Sequence, residues 1–457
     1  MNGFINDLIA FTSRLKKDSL PAEALKRVTD AIADTFGCIV LGHRQELAQK
    51  LFKILFPINA NNKIENWLDH NCLVNSGTDF QGSVALYLGT LAHAVDYDDI
   101  SHPAYCHATA ALLPPILIRA LINGNSGDEV IRSYIVGLET LGQLGRKLNT
   151  AHYEKGWHAT GTFGAVGATA ALCCLENFSE SMTRNALSIS ASLASGVRAN
   201  FGTMTKPLHA GLAGRSAILA TQLASVEFTS AYDGIEGKFG FMNVFGGHSF
   251  PIYQKPWGDP LEILTESGIG LKAYPCCAAT HPAIDAALRV RNMIPLSDLN
   301  QIESIRVGAS RFAMEPLIYK VPKTPLEAKF CMEYCVASAL IDGELKMSSF
   351  TESNISRNDI ADLMKKITFE IDAFVENDRE FAVIFDLKIL SKEKISQRVD
   401  VASGKPGNWL TQSALKSKFM ECVGNDTLGP DLFSLIQDLR HLNSMVSLAS
   451  KLYQCLD

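Results

Sequence analysis

Cationic and imidazole side chains recur in this sequence where glycine-containing loops lead into apolar segments. Lys206 lies in FGTMTKPLHAGLAGR, residues 201–215, and Lys272 lies in GIGLKAYPCCAATH, residues 268–281. Because a proline follows Lys206, we expect this lysine in an extended or turn conformation ahead of a helix. A cation held on a short loop at a helix entrance suits the binding of an anion, and a solvated turn lysine is the alternative.

A cluster of acidic and imidazole residues lies between the apolar segments of residues 86–115. Its members are Asp96, Asp98, Asp99, His102 and His107. Asp96, His102 and His107 could ligate a metal, but an Asp-rich loop is also a common helix-capping junction. A carboxylate–histidine pair for acid–base chemistry is the third interpretation. We expect catalysis or substrate positioning here rather than a metal site.

A third junction contains His158 and Thr160, directly before the small-residue segment FGAVGATAALCC. The free amides and positive dipole end of a helix favour an anion at such a point. A cleft that gathered these junctions would be cationic and would suit a small substrate with two or three carboxylates. A neutral histidine could remove a proton next to a carboxylate while the lysines stabilise the developing charge. This scheme serves dehydration, decarboxylation and epimerisation equally well.

The composition indicates an ordinary globular protein, with 47% hydrophobic and 20% charged residues among 457. A net charge of −6 without any basic run argues against a nucleic-acid binder, and no stretch looks long and uncharged enough for a membrane span. The eleven cysteines lack paired metal spacing, and with no signal peptide they indicate a reducing cytoplasm. The motifs of serine hydrolases and of phosphate or dinucleotide binders are missing.

The elements that must position these residues are mostly helices. Apolar residues at three- and four-residue steps predict helices over residues 21–41 and 127–149. From residue 268 the pattern becomes mixed, with strand-like segments at 303–307, 366–371 and 381–390 and a helix at about 326–340. We therefore predict a large all-α helical domain and a smaller α+β lid domain. The predicted boundaries place residues 1–267 and 403–457 in the helical domain and residues 268–402 in the lid.

Five segments of the chain resemble the MmgE/PrpD family, which includes 2-methylcitrate dehydratase, cis-aconitate decarboxylase and iminodisuccinate epimerase. The likeness extends over nearly the whole sequence. Its segments, in order, are AHAVDYDDISHPA at 92–104, GWHATGTFGAVGA at 156–168, FGTMTKPLHAG at 201–211, KAYPCCAATHPAIDA at 272–286 and TPLEAKFCMEYCVA at 324–337. The resemblance implies a helical domain built from both chain ends, an inserted lid, a homodimer, a site at the domain junction, and no metal or cofactor.

The resemblance also implies roles for particular residues. We expect His158 or His107 to act as base or acid, and Lys206 and Lys272 to hold substrate carboxylates. The predicted catalytic residues are His107, His158, Asp96 and Lys206, and the predicted substrate-binding residues are Lys272, Thr160, His209, Tyr319 and Cys277.

Two departures from the decarboxylase pattern bear on the activity. One extra residue separates Asp96 from His107, so Cys106 and His107 compete for that position. Cys277 stands where the decarboxylase carries a histidine. We therefore predict a 2-methylcitrate dehydratase-like hydro-lyase that removes a proton next to a carboxylate. An epimerase, a cis-aconitate decarboxylase-like enzyme and a non-catalytic carboxylate-binding protein are the alternatives.

Overall fold

The computed structural model describes residues 3–56, 67–246, 255–376, 381–424 and 427–456. Helices dominate these ranges, and none of them is long and apolar enough to cross a membrane. The longer helices before residue 260 are Phe4–Leu15, Ala22–His43, Glu46–Leu55, Thr78–His93, Ala108–Asn123, Gly127–Leu148, Ala159–Leu175, Glu180–Leu193 and Thr205–Ser225. Those that follow are His281–Met293, Met332–Asp342, Asn358–Met364, Gln412–Val423, Leu428–Gln437 and Val446–Leu456. Single turns of helix cover His70–Val74, Ala151–Glu154, Phe241–Gly246, Arg311–Met314, Pro325–Ala328 and Glu352–Ile355.

Most of the buried apolar side chains form two large clusters. The first takes residues from Phe4 to Leu271 and again from Leu415 to Leu456, so both ends of the chain contribute to one helical core. The second extends from Cys276 to Val399 and combines helices with a sheet. The predicted fold class, a large helical domain with a smaller α+β domain, is confirmed. The boundaries at residues 267 and 402 stay a prediction.

The four-stranded sheet belongs to the second cluster. Its strands lie in the order Ile367–Ile371, Ile302–Ala309, Val383–Ile389 and Ile395–Val399. The first pair is parallel and the other two pairs are antiparallel. The strand at 395–399 was not predicted, because its three central residues are polar and only its two end residues are apolar.

A close helix crossing brings the Lys206 junction and the acidic cluster together. A Cβ atom on Gly211 would lie 2.1 Å from the carbonyl oxygen of Leu86, so only glycine lets helices Thr78–His93 and Thr205–Ser225 approach at this point. The loop that follows His93 therefore lies against the start of the helix that carries Lys206.

Several predicted boundaries were wrong. Lys206 is helical, because Pro207 lies in the first turn, where its missing N–H has no intrahelical partner to lose. Gly42 does not end its helix but lies inside it, where a Cβ would meet the Leu91 carbonyl oxygen at 2.1 Å. A two-residue ladder also pairs Ile100–Ser101 with Ile269–Gly270, although no strand was predicted at either segment.

Candidate active site

A cavity lies where the two apolar clusters meet, and it contains about 530 Å³ of space, part of it open to solvent. Its polar lining comes from the predicted junctions, and much of the remaining lining is aromatic. The polar and ionisable lining residues are Asp96, His107, His158, Lys206, Lys272 and Cys277, and the aromatic ones are Tyr105, Tyr153, Phe201, Phe312, Phe330 and Phe381. The polar residues of this lining were predicted from the sequence, whereas the aromatic residues were not.

Asp96 is the charged centre of this lining. Its Oδ1 atom lies 2.5 Å from Lys206 Nζ and 3.1 Å from Lys272 Nζ, and all three side chains are buried. Burial alone would raise the pKa of Asp96, but the two ammonium groups outweigh it and hold the pKa well below its usual value. The backbone of Asp96 is left-handed, with φ of 56°, a conformation that aspartate adopts more readily than most residues. One carboxylate between two lysines leaves a net positive charge for a substrate.

Both predicted catalytic histidines stand at helix N-termini. His107 immediately precedes helix Ala108–Asn123, and His158 immediately precedes helix Ala159–Leu175. Burial lowers the pKa of both imidazoles. The positive charge of Lys206 lowers the pKa of His158 further, and at His107 the charges of Lys272 and Lys206 oppose the raising effect of Asp98. Both rings are therefore neutral at neutral pH, the state in which a histidine accepts a proton.

His158 contacts His209, which was also predicted as a site residue. Its Nδ1 atom lies 2.9 Å from Nδ1 of His209, one turn after Lys206. With Nδ1 engaged in this way, Nε2 is the nitrogen of His158 left for a ligand in the cavity. His209 thus contacts a cavity residue rather than lining the cavity itself.

His93 and Asp98 were not assigned to the site, yet they lie directly behind it. Asp98 Oδ1 lies 2.9 Å from His93 Nδ1, and Asp98 Oδ2 lies 3.2 Å from His107 Nδ1. The rings of His93 and His107 have centroids 3.9 Å apart. The motif AHAVDYDD contains both residues. They were not predicted as site residues, because a histidine on the last turn of a buried helix is typical of a core position. Their effect is to orient His107.

The other residues of the acidic cluster have contacts of their own outside the cavity. Asp99 accepts hydrogen bonds from the amide and hydroxyl of Thr109, so it caps the helix that follows His107. His102 lies against Phe381, with ring centroids 6.2 Å apart. Among the described residues His102 is not one of the donors that come together near Asp96, so the set Asp96, His102 and His107 does not form a metal site.

A different set of four donors does come together. Single ligand atoms of His93, Asp96, Asp98 and His107 all lie within 4.8 Å of one another. Asp96 Oδ1 already faces two ammonium groups, however, and Asp98 holds both imidazoles at hydrogen-bonding distance. A cation placed among these donors would meet two neighbouring positive charges. The arrangement fits an ion-pair network better than a metal centre.

The remaining predicted residues differ in their relation to the cavity. Cys277 lines it, and burial, followed by the charge of Asp96, raises the pKa of its thiol to about 11. Thr160 is fully buried and its Oγ1 atom accepts the backbone N–H of His107 at 3.1 Å, which joins two helix N-termini. Tyr319 lies outside the lining and packs against Gly202, whose φ is 80°.

The extra residue between Asp96 and His107 has a structural explanation. Cys106 is buried and its backbone pairs with Ser101 in a tight hairpin, while His107 is the residue that lines the cavity. Of the two competing residues, His107 therefore occupies the site.

Comparison with known proteins places this chain among enzymes. The N-terminal domain of the MmgE/PrpD family matches residues 6–252, and its C-terminal domain matches residues 274–427. Cis-aconitate decarboxylase of Mus musculus is 27% identical over 423 residues, which are 89% of this chain and 83% of that protein. The Homo sapiens enzyme is 26% identical over 94% of this chain and 90% of its own length, and that of Aspergillus terreus is 23% identical over 80% and 78%.

These matches bear on the predicted activity as well as on the family. They confirm an enzyme of the lyase or epimerase class, and they favour the decarboxylase alternative over the 2-methylcitrate dehydratase that the sequence analysis placed first. Because the two family domains together match well over half of the sequence, this chain belongs to the MmgE/PrpD family.

Proposed function

We propose that this protein is a decarboxylase of a small unsaturated tricarboxylate of the cis-aconitate type. The observation that carries the proposal is the Lys206–Asp96–Lys272 cluster in the wall of a half-open cavity. Two ammonium groups can hold two carboxylates of one ligand, since each offers three donors. The relatives named as cis-aconitate decarboxylases support the choice of substrate class.

The reaction needs a place for an electron pair and a source of a proton. When the C–CO₂ bond of the allylic carboxylate breaks, its electron pair moves through the double bond towards a second carboxylate. Lys206 or Lys272 stabilises that developing charge. One proton then adds to the former vinyl carbon next to the second carboxylate, which leaves a terminal methylene and releases carbon dioxide. The products balance with one proton taken from the enzyme and restored from water.

His158 is the proton donor in this scheme. Its Nε2 atom is free for a ligand, because Nδ1 contacts His209. Without a ligand its pKa is held low by burial and by the lysine charge. A bound tricarboxylate places negative charge beside the ring, which raises the pKa and favours protonation during the reaction.

Dehydration is the second candidate, and one observation favours it. Both His107 and His158 are held neutral in the structure, which is the form that removes a proton next to a carboxylate. In that reaction the same lysines would stabilise the aci-carboxylate formed by proton removal, and a hydroxyl group would leave instead of carbon dioxide.

Proton NMR in deuterated water distinguishes these activities. The protein is incubated separately with cis-aconitate, 2-methylcitrate, citrate and iminodisuccinate. A decarboxylase converts cis-aconitate into a product with two terminal methylene protons and one deuteron on the saturated carbon next to the second carboxylate, with release of carbon dioxide. Conversion of the methyl doublet of 2-methylcitrate into the singlet of a methyl group on a double bond, without carbon dioxide, would instead establish the dehydratase.

Two further outcomes overturn the proposal. Deuterium exchange without a new carbon skeleton would establish an epimerase, and ligand binding without turnover in any tube would indicate a carboxylate-binding protein. Lys206→Met and Lys272→Met provide the matched test of the site, because methionine keeps most of the unbranched side chain of lysine without its charge. Full activity in both folded variants would show that the site lies elsewhere.

We also propose that the protein forms a homodimer, as the family resemblance implies. Exposed apolar side chains are concentrated in one segment, with Phe239 exposed at 84% and Tyr232 at 73%. The other members are Val226, Phe228 and Val244. Such a group is typical of an interface. Light scattering of the purified protein should give twice the chain mass, and Phe239→Glu should shift it towards one chain mass.

A further inference from the structure

Three consecutive backbone carbonyl groups of the site loop each accept a hydrogen bond from a different buried lysine. These carbonyls belong to residues 95–97, the segment that carries Asp96. The contacts are Lys329 Nζ to Val95 O at 2.5 Å, Lys272 Nζ to Asp96 O at 2.9 Å, and Lys418 Nζ to Tyr97 O at 2.7 Å. Lys272 already belongs to the cavity wall, but Lys329 and Lys418 do not line the cavity.

Lys418 has the most extensive contacts of the three. It comes from helix Gln412–Val423, near the end of the chain, and its Nζ atom also donates to the carbonyl oxygen of Lys272 at 2.8 Å. The same atom lies 2.5 Å from Asp34 Oδ1 and 3.8 Å from the ring centroid of Tyr97. One buried ammonium group therefore joins the backbone on both sides of the Asp96–Lys272 contact.

Lys329 reaches the loop from the other apolar cluster. It follows the turn Pro325–Ala328, its side chain is buried, and its own carbonyl oxygen accepts the N–H of Cys277 at 3.0 Å. Through these two contacts Lys329 links the Asp96 loop to the Cys277 side of the cavity.

We propose that Lys418 and Lys329 are positioning residues that fix the backbone of residues 95–97, so that the Asp96 carboxylate meets Lys206 and Lys272. Asp96 needs this support because its backbone is left-handed and its side chain stands between two cations. Since a misplacement of about 1 Å costs on the order of 100-fold in rate, loss of either support lowers turnover although neither lysine touches the substrate. The inference rests on the proposed function in one respect, namely that turnover is measured on cis-aconitate.

The test of Lys418 is a charge-free double variant, Asp34→Asn with Lys418→Met. Changing both residues avoids leaving an unpaired buried charge, which would unfold the protein for an unrelated reason. The chain offers a matched control in Lys255 and Glu139. Lys255 Nζ lies 2.6 Å from Glu139 Oε1 and donates to two backbone carbonyls, those of Pro256 and Pro260. The control variant is Glu139→Gln with Lys255→Met.

Both double variants should lose thermal stability, but only one should lose turnover. Assayed well below its melting temperature, the Asp34/Lys418 variant should show kcat lowered about 10- to 100-fold, with KM changed far less because Lys206 and Lys272 remain. The Glu139/Lys255 variant should keep kcat within about twofold of wild type, since its carbonyls belong to another loop. Equal kcat values in the two variants would overturn the proposal.

Two further experiments test the inference if the double variant does not fold or if wild type shows no turnover. If the Asp34/Lys418 variant does not fold, Lys329→Met replaces it and should lower kcat about 10-fold; unchanged kcat contradicts the proposal. If wild type turns over none of the acids, the proposed function fails, and iodoacetamide alkylation of Cys277 tests the positioning alone. Asp96 and Lys272 both act on this thiol, so the pH at which alkylation accelerates should shift by about half a unit in the Asp34/Lys418 variant and not in the control. No shift would overturn the proposal.

Discussion

His158 and His209 meet through the same ring nitrogen, with their Nδ1 atoms 2.9 Å apart. Two neutral imidazoles can share such a contact only if one donates its Nδ1–H and the other accepts it. The state of His209 therefore determines whether Nε2 of His158 carries a proton or a lone pair towards the cavity. A residue outside the cavity lining thus determines whether His158 can donate a proton to a ligand or accept one from it.

We predict that His209→Leu lowers kcat about 10- to 100-fold with little change in KM, because it removes the partner that orients His158. His209→Asn should retain more activity, since its side-chain amide can occupy the place of Nδ1. His158→Leu should lose about 100- to 10,000-fold, the range expected for a general acid or base. Initial rates of carbon dioxide release measure all three. Wild-type kcat in His209→Leu would refute this role of His209.

Cys277 offers a chemical probe of the same cavity. Its pKa of about 11 keeps the thiol protonated at neutral pH, and only the thiolate reacts with an alkylating reagent. We predict slow alkylation by iodoacetamide at pH 7, a rate that rises about tenfold with each pH unit up to about 10, and protection by bound tricarboxylate. Peptide mass spectrometry measures the modification. Fast alkylation of Cys277 at pH 7 would contradict the prediction.

The variant Cys277→Ser distinguishes a contact from a catalytic role. It keeps a small polar side chain and should change kcat by less than about tenfold if the thiol only binds substrate. A loss of more than about 100-fold would show that the thiol itself transfers a proton. Cys277→His restores the histidine expected in the decarboxylase pattern, and so tests whether that histidine is compatible with activity in this protein.

The junctions of the site could be predicted from the sequence, because each one places an ionisable side chain directly before a segment with the pattern of a helix. His107 and His158 both immediately precede the helices expected after them. Lys206 was placed in the right region but in the wrong conformation, because the residue before a proline usually avoids the helical region and the first turn is the exception.

What the sequence could not reveal was the set of contacts that hold the site from behind. His93 and Asp98 lie in one motif with Asp96, but their contact with each other is visible only in the fold. Lys418 is far from them in sequence, and only the fold brings it to this loop. Lys418 in particular lies on a helix whose apolar pattern is weak, and a lysine there reads as solvent-exposed. Only the tertiary structure shows its ammonium group on two carbonyls of the site.

Removal of divalent metals should leave activity unchanged. The four candidate donors near Asp96 already contact two ammonium groups or one another, so a metal would have to displace a lysine. We predict that dialysis against EDTA changes kcat by less than about twofold, whereas a metal-dependent enzyme would lose most of its activity and regain it with added metal. Metal analysis of the purified protein is the independent check.

The stability of the protein should depend on pH through its buried histidines, and His152 allows a clean test away from the cavity. Its ring is fully buried, contacts Thr162 Oγ1 at 2.9 Å, and has a pKa lowered to about 3 by burial and then by the charge of Lys155. The unfolded chain protonates this histidine near pH 6.5, so its contribution is complete above that pH and is lost as pH falls towards 3. Between pH 6.5 and 5 the loss is on the order of 2 kcal/mol.

The variant His152→Gln isolates this contribution, because glutamine can still contact Thr162 and does not titrate. Burial raises the pKa of Asp34 to about 6 and that of Asp99 to about 8, so these carboxyl groups stabilise the folded state as pH falls and oppose the histidines. Their effect is the same in both proteins and cancels when the variant is compared with wild type. Urea midpoints at pH 7 and pH 5 should therefore fall less in His152→Gln than in wild type. An equal fall in the two proteins would show that His152 is not held neutral by the fold.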